Sequence, residues 1–269
     1  MAIIGGSGFS TVLKGDQRIL GTPYGPTPRL TFGEVKGKQL VFLPRHGEGH
    51  TIPPHKVNYR ANLWGLKELG VERIIATNAV GAIDEELQPG TIVVPSDIID
   101  FTKSRRHTFY EGSPVTHVDV SAPYCPTIMK NLSDAATGIG RKGRDGIVMA
   151  CTEGPRYETP AEIRMLRTLG GGIVGMTAAP ELFLARELEM CYGSVCFVSN
   201  MAAGLQRTLS AQEVEERGRD SGQILNKIII EAVENIPESR KACACGRALS
   251  SAQLGKEDME ESEGEDTAR

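Results

Sequence analysis

Short apolar runs that end in glycine-rich or charged turns alternate along this chain with stretches of helical period. Residues 2–4 (AII) form a strand-like run feeding Gly5-Gly6-Ser7-Gly8, a turn in which backbone N–H groups can approach an anion. Residues 39–44 form a second run, ending at Arg45-His46-Gly47. Between 53 and 70, Val57, Ala61, Leu63, Trp64, Leu66 and Leu69 share one helical face, and Gly70 supplies the stop. A strand over 73–76 leads into Thr77-Asn78-Ala79-Val80-Gly81, read as a third small-residue turn. Residues 91–95 are a strand after the turn Leu87-Gln88-Pro89-Gly90, so 74–99 is β-rich. Residues 97–124 have no clear period and carry Arg105, Arg106, His107 and His117, as a long functional loop or a subunit-contact segment would.

A helix over 126–139 and a buried strand over 146–150 deliver the segment Cys151 to Arg164, CTEGPRYETPAEIR. Thr159 fits a helix N-cap, Pro160 the first helical position, and Glu162 the far side of a capping box. That explains Thr159 and Glu162 but leaves Tyr157 and Glu158 at the loop-to-helix junction without a structural task. Beyond it come a helix over 163–169, a strand over 173–177, a helix over 180–189, and a strand over 194–199 that delivers Asn200. Ser210, with Glu213 three residues later, caps a last helix running to 236. The alternation predicts an α/β fold, a single domain with a mixed sheet covered by helices. Ligands then bind at the carboxyl ends of the strands. The domain is expected over 1–240. Residues 241–269 form a C-terminal C-x-C segment and an acidic tail of low apolar content, expected to be disordered.

With 269 residues, 40% of them hydrophobic, the chain can bury one sizeable core. A net charge of −4 and no basic run argue against a nucleic-acid partner. No apolar run nears the roughly 18 residues of a membrane span, and no leader precedes the first strand, so no membrane partner and a cytoplasmic location are expected. Cys125, Cys151, Cys191 and Cys196 lie in apolar surroundings as reduced core residues would. Cys243 and Cys245 form a C-x-C pair with no second cysteine or histidine pair at zinc-site spacing, so no metal is expected there.

Taken in order, GGSGF, RHG, PPHKVNYRAN, TNAVGAI, TEGPRYET, VGMTAAPE and SNMAAG span residues 3 to about 236. In this order they resemble the trimeric purine nucleoside phosphorylase and methylthioadenosine phosphorylase family. The resemblance implies a partly closed, barrel-like sheet and a pentosyltransferase in which inorganic phosphate attacks the anomeric carbon of a nucleoside. Phosphate is then a co-substrate, no cofactor is needed, and the chain forms homotrimers that can pair into hexamers. By the same resemblance Ser7, Arg45, His46, Asn78, Ala79 and Thr177 hold phosphate. Met176, Met201 and Ala202 contact the nucleoside, Tyr157 lies against the purine, and Asn200, Glu158 and His46 are catalytic. Hydroxyls, backbone N–H groups and a guanidinium suit an anion, and an aromatic ring suits a flat base.

Base and sugar can be read further. A 6-oxopurine presents an acceptor at O6 and a donor at N1–H, whereas adenine presents the opposite edge. A Glu158 carboxylate can accept from N1–H, and the Asn200 amide can donate to O6 or N7. In the methylthioadenosine branch the residue matching Asn200 is typically aspartate and that matching Glu158 is small, so this chain resembles the 6-oxopurine branch. The inosine/guanosine enzymes place a histidine near the 5′-hydroxyl, after the position of Asn200, yet no histidine follows His117. Ala211 and Val214 stand there instead and suit a methylthio group. His117 resembles the family residue that reaches a neighbouring subunit's 5′ pocket. His50 and His55 flank the Arg45-His46 turn. The activity expected is phosphorolysis of S-methyl-5′-thioinosine to hypoxanthine and 5-methylthioribose 1-phosphate. General inosine/guanosine phosphorolysis, methylthioadenosine phosphorolysis, and a catalytically silent nucleoside-binding protein remain as alternatives.

Overall fold

The computed structural model describes residues 1–6, 13–143 and 145–254. Ser7 and the acidic stretch 257–269 lie outside the described residues. In chain order the elements are β1 (Ala2–Gly5), β2 (Gln17–Arg18), β3 (Gly21–Thr22), β4 (Gly25–Pro26), β5 (Leu30–Val35) and β6 (Lys38–Pro44). Then come α1 (Tyr59–Glu68), β7 (Arg73–Ala82), β8 (Ile92–Val93), β9 (Asp97–Phe101), α2 (Pro126–Gly138) and β10 (Val148–Thr152). The chain continues through α3 (Pro160–Thr168), β11 (Gly171–Gly175), α4 (Ala178–Glu187), β12 (Cys191–Met201) and α5 (Ala211–Asn235). No helix among the described residues is long and apolar enough to cross a membrane.

The fold is α/β with a mixed sheet, and β7 is its branch point. Strand β12 runs parallel to β7 along one edge, from the Cys191–Arg73 pair to the Met201–Ala82 pair. The other edge is used twice. Strand β1 pairs with it in parallel at Ile74, Ile75 and Ala76, and β11 pairs antiparallel at Gly81 and Ala82. Because β1 and β11 approach from opposite directions, their carboxyl ends converge on the middle of β7, and no strand among the described residues pairs with 77–80 on that edge. Helices α2 and α5 pack on the β12 side around Leu132, Phe197, Leu225 and Ile229. Helices α1 and α4 cover the other face around Leu63, Leu66, Leu182 and Ile74.

Several elements differ from the sequence reading. The helix expected over 53–70 begins only at Tyr59, because 54–56 form a 3-10 turn and the Asn58 side chain accepts the Ala61 N–H as cap. Thr77 to Gly81 is strand and no turn. Its small residues let β11 and β12 close in on both edges: a Cβ on Gly81 would stand 3.2 Å from both a Val174 methyl and the Asn200 amide nitrogen. Residues 97–101 are an edge strand beside β10, so the irregular segment is confined to 102–125. The capping box at Thr159 and Glu162 forms as expected, and so does the Ser210 cap on Glu213.

The C-terminal stretch 241–254 lies against this body. Cys245 and Ala252 are buried, and Ala252 and Val115 carbonyls accept from the His117 and Leu254 N–H groups. No second cysteine pair stands at zinc-site spacing along the chain, yet Cys243 and Cys245 gain thiol neighbours through the fold. The fold carries Cys125 and Cys191 to them, so that four sulfurs lie within 4.8 Å of one another. Spacing along the chain could not reveal this, because the second pair comes from a helix start and a strand start that are remote in sequence.

A fully buried ion pair closes the gap beside β7. Arg45, just past β6, donates from Nε and Nη2 to the two Glu181 carboxylate oxygens, both at 2.7 Å, and both side chains are buried. Its Nη1 donates to the Thr77 carbonyl at 2.9 Å, and the Tyr192 hydroxyl donates to Glu181 Oε1 at 2.7 Å. One carboxylate therefore joins β6 and β7, through Arg45, to α4 and β12. Burial alone would lower the affinity of the guanidinium for its proton, but Glu181 outweighs it and holds Arg45 charged. Glu181→Ala is expected to lower the free energy of unfolding by about 3–5 kcal/mol, because it strands a buried cation. Urea titration of the variant measures this, and a loss under roughly 1 kcal/mol would mean the pair is not holding these elements together.

Candidate active site

The gap between β1 and β11 opens into a cavity of about 890 Å³, the size of a small-molecule site. Its walls come from the sheet: Gly5 and Gly6 at the end of β1, Arg45 and His46 after β6, the middle of β7, Met176 and Thr177 after β11, and Asn200 in β12. Tyr157 and Glu158 enter from the loop before α3, Leu209 from the loop before α5, and Ala211 and Val214 from the first turn of α5.

One group of residues is cationic and rich in hydroxyls. Beside the Arg45 guanidinium, His46 Nδ1 lies 2.8 Å from the Ile52 carbonyl. A carbonyl only accepts, so Nδ1 carries the hydrogen and Nε2 keeps a lone pair. Burial, reinforced by the Arg45 charge, pushes the imidazole down to about 3, so His46 is neutral at pH 7. The His50 ring lies against it with centroids 4.3 Å apart. Thr177 Oγ1 donates to Asn78 Oδ1 at 2.9 Å, and Asn78 Nδ2 donates to Ser194 Oγ at 2.8 Å. Asn78 thus lines the cavity, yet its amide is occupied in orienting the Thr177 hydroxyl. Gly6 N–H donates to Thr77 Oγ1 at 2.9 Å, which brings the β1 end against β7.

A second group presents an amide and a carboxyl. Asn200 Nδ2 donates to the Met201 carbonyl at 2.9 Å, and its Oδ1 accepts from Ser199 Oγ at 2.6 Å. The Met201 carbonyl cannot face an oxygen, so it fixes which way the amide points. Its second N–H remains for the cavity. Glu158 Oε1 accepts from Thr152 Oγ1 at 2.5 Å. Burial raises the Glu158 carboxyl above its ordinary value, against the opposing Thr152 hydrogen bond. Gly154 has φ 64°, and a Cβ there would come within 2.6 Å of the Met176 sulfur, so this loop can pass over Met176 only with glycine.

Of the residues singled out in the sequence, Arg45, His46, Asn78, Ala79, Tyr157, Glu158, Met176, Thr177, Asn200, Ala202, Ala211 and Val214 all line this cavity. Met201 does not, and contributes its backbone: the N–H donates to Gln206 Oε1 and the carbonyl holds Asn200. His117 is exposed and lies apart from the cavity of its own chain, and His55 does not line it. Arg29, Gln17, Glu215 and Arg219 line it without having been singled out. Glu215 and Arg219 pair at 3.6 Å with i,i+4 spacing, which in sequence reads as an ordinary solvated helix face.

The phosphorylase superfamily profile matches residues 1–234. A 6-oxopurine nucleoside phosphorylase of Pyrococcus furiosus is 49% identical over 263 residues, covering 94% of this chain and 98% of the relative. A probable S-methyl-5′-thioinosine phosphorylase of Methanopyrus kandleri is 48% identical over 256 residues, covering 94% and 99%. The crystal structure of methylthioadenosine phosphorylase from Schistosoma mansoni with adenine superposes with a TM-score of 0.86 at 32% identity, covering 94% of this chain and 98% of that one. By profile, by relatives near half identity and by fold, the chain belongs to the phosphorylase superfamily.

Proposed function

We propose that the protein catalyses phosphorolysis of S-methyl-5′-thioinosine, releasing hypoxanthine and 5-methylthioribose 1-phosphate. The observation that carries this reading is that Glu158 and Asn200, distant in sequence, line one cavity with their hydrogen-bonding capacity directed by neighbours. An ionised Glu158 accepts from purine N1–H, and the remaining Asn200 N–H donates to N7 or O6. Adenine would set its N1 lone pair against the carboxylate, an unpaired buried mismatch that discriminates strongly. As phosphate attacks C1′, the glycosidic electron pair moves onto the purine, and the Asn200 donor stabilises charge gathering there. Arg45, Thr177 and the β7 backbone at Ala79 hold phosphate. His46, neutral with a lone pair at Nε2, accepts from the P–OH of a protonated phosphate. Met176 and Tyr157 pack on ribose and base. No protein nucleophile takes part, and rate enhancement rests on alignment and charge stabilisation.

Leu209, Ala211 and Val214 supply an apolar wall suited to a methylthio group. His50, Glu215 and Arg219 line the same cavity and offer polar partners to a 5′-hydroxyl, which favours inosine and guanosine as a second reading. The proposal also includes a homotrimer in which His117 reaches a neighbour's cavity. Val115 and Val120, 54% and 40% exposed on either side of His117, support a covered face there.

Steady-state assays with phosphate and methylthioinosine, inosine, guanosine or methylthioadenosine test the reading. The highest kcat/KM is expected for methylthioinosine. A faster inosine reaction would establish the second reading, preference for the adenine nucleoside would sink the base assignment, and absence of base release with all four would leave only a binding protein. Asn200→Asp is expected to shift selectivity toward the adenine nucleoside by at least about tenfold, or about 1.4 kcal/mol.

Protonation of Glu158 gives an independent pH test. Its carboxyl is raised and must be ionised to accept N1–H, so kcat/KM for a 6-oxopurine nucleoside should fall as pH drops through a value above 4.5. Glu158→Gln should lower the plateau and remove that acid limb. An unchanged limb in the variant would assign it to another group.

A further inference from the structure

We infer that Cys125, Cys191, Cys243 and Cys245 form a tetrathiolate site for a structural zinc ion. The four sulfurs lie within 4.8 Å of one another, and Cys191 and Cys243 approach to 3.5 Å. Zinc–sulfur bonds of about 2.3 Å in a tetrahedron place the sulfurs about 3.8 Å apart, so one ion fits among these four with little movement. All six cysteines are free thiols. Three of the four are buried, and the fourth, Cys243, is half-buried.

The site is built by the fold. Cys125 is the N-cap of α2, and its N–H donates to the Tyr192 carbonyl at 2.8 Å, which seats it beside the start of β12 at Cys191. Cys243 and Cys245 arrive on the C-terminal stretch, where a 3-10 turn covers Cys245–Arg247. The surroundings suit the double negative charge of a zinc tetrathiolate. Cys125 stands at the N-terminus of α2, where the helix dipole favours negative charge. Arg240, whose Nη1 donates to the Glu189 carbonyl at 2.9 Å, lies against Gly246, and a Cβ at 246 would come within 1.8 Å of its guanidinium. A cation thus packs beside the residue next to Cys245, an arrangement of the kind that supports metal ligands. Binding converts four thiols to thiolates, releases their four protons to solvent, and involves no electron transfer.

The ion would clamp the 241–254 stretch to the body. The far end of that stretch holds 115–117, through the Ala252–His117 and Leu254–Val115 hydrogen bonds. Cys191 opens β12 and Asn200 stands nine residues on, about 30 Å away at strand rise, so the site is remote from the catalytic cavity.

The test uses the full chain, purified without chelator. Elemental analysis is expected to give about one zinc per chain, and alkylation after unfolding without reductant should label all six cysteines. Cys243→Ser with Cys245→Ser should abolish zinc binding, whereas Cys196→Ser should retain it. Stripping zinc should lower the melting midpoint by roughly 5 °C or more and speed hydrogen exchange at 115–117. Should the double variant fail to fold, cobalt(II) added to stripped, reduced protein should give the ligand-field bands of a tetrahedral thiolate. Less than about a tenth of a zinc per chain, failure of stripped protein to bind cobalt, or a mass showing these four sulfurs joined in disulfides would each overturn the assignment.

Discussion

The ion pair between Arg45 and Glu181 is the constraint on which the cavity depends. Branching of the sheet at β7 leaves a gap between the ends of β1 and β11 that no strand among the described residues fills, and a gap in a buried sheet needs polar partners. Arg45 supplies one by donating to the Thr77 carbonyl, and Glu181 keeps the guanidinium charged without solvent. The same charge helps to keep His46 neutral. A cation that cannot leave and an imidazole that keeps a lone pair thus follow from one carboxylate on α4. The gap that costs the sheet its hydrogen bonds is also what opens the site.

A second constraint directs the amide in β12. Asn200 sits just past the register shift that follows Val198, with Gly81 opposite. The Met201 carbonyl sets its orientation and the Ser199 hydroxyl holds its oxygen. Across the cavity, Thr152 occupies one oxygen of Glu158 and leaves the other for a ligand. Both polar groups enter with part of their hydrogen-bonding capacity spent on the protein, which is how a rigid site reads one edge of a base.

Much of this was legible in the sequence where the signal is local. Caps at Thr159 and Ser210, the α/β alternation, and the strand ends at Arg45, Met176 and Asn200 are all fixed by nearby residues, and the ordered motifs pointed to the family. What could not be read is non-local. Thr77 to Gly81 looks like a turn because its residues are small, and they are small because two strands crowd β7 there. Glu181 is 136 residues from Arg45 and resembles any acidic residue near a helix start. Arg29 and Arg219 carry no period that separates a cavity wall from a solvated surface. The four cysteines are gathered only by the meeting of α2, β12 and the C-terminal stretch.

The central claim is that Glu158 and Asn200 together recognise a 6-oxopurine, and equilibrium binding of the free bases tests it without the sugar or the chemistry. Calorimetric titration of the protein with hypoxanthine and with adenine, each in saturating phosphate, is the measurement. Hypoxanthine is expected to bind at least about 100-fold more tightly, since adenine leaves buried polar groups unpaired. Equal affinities, or tighter binding of adenine, would contradict it.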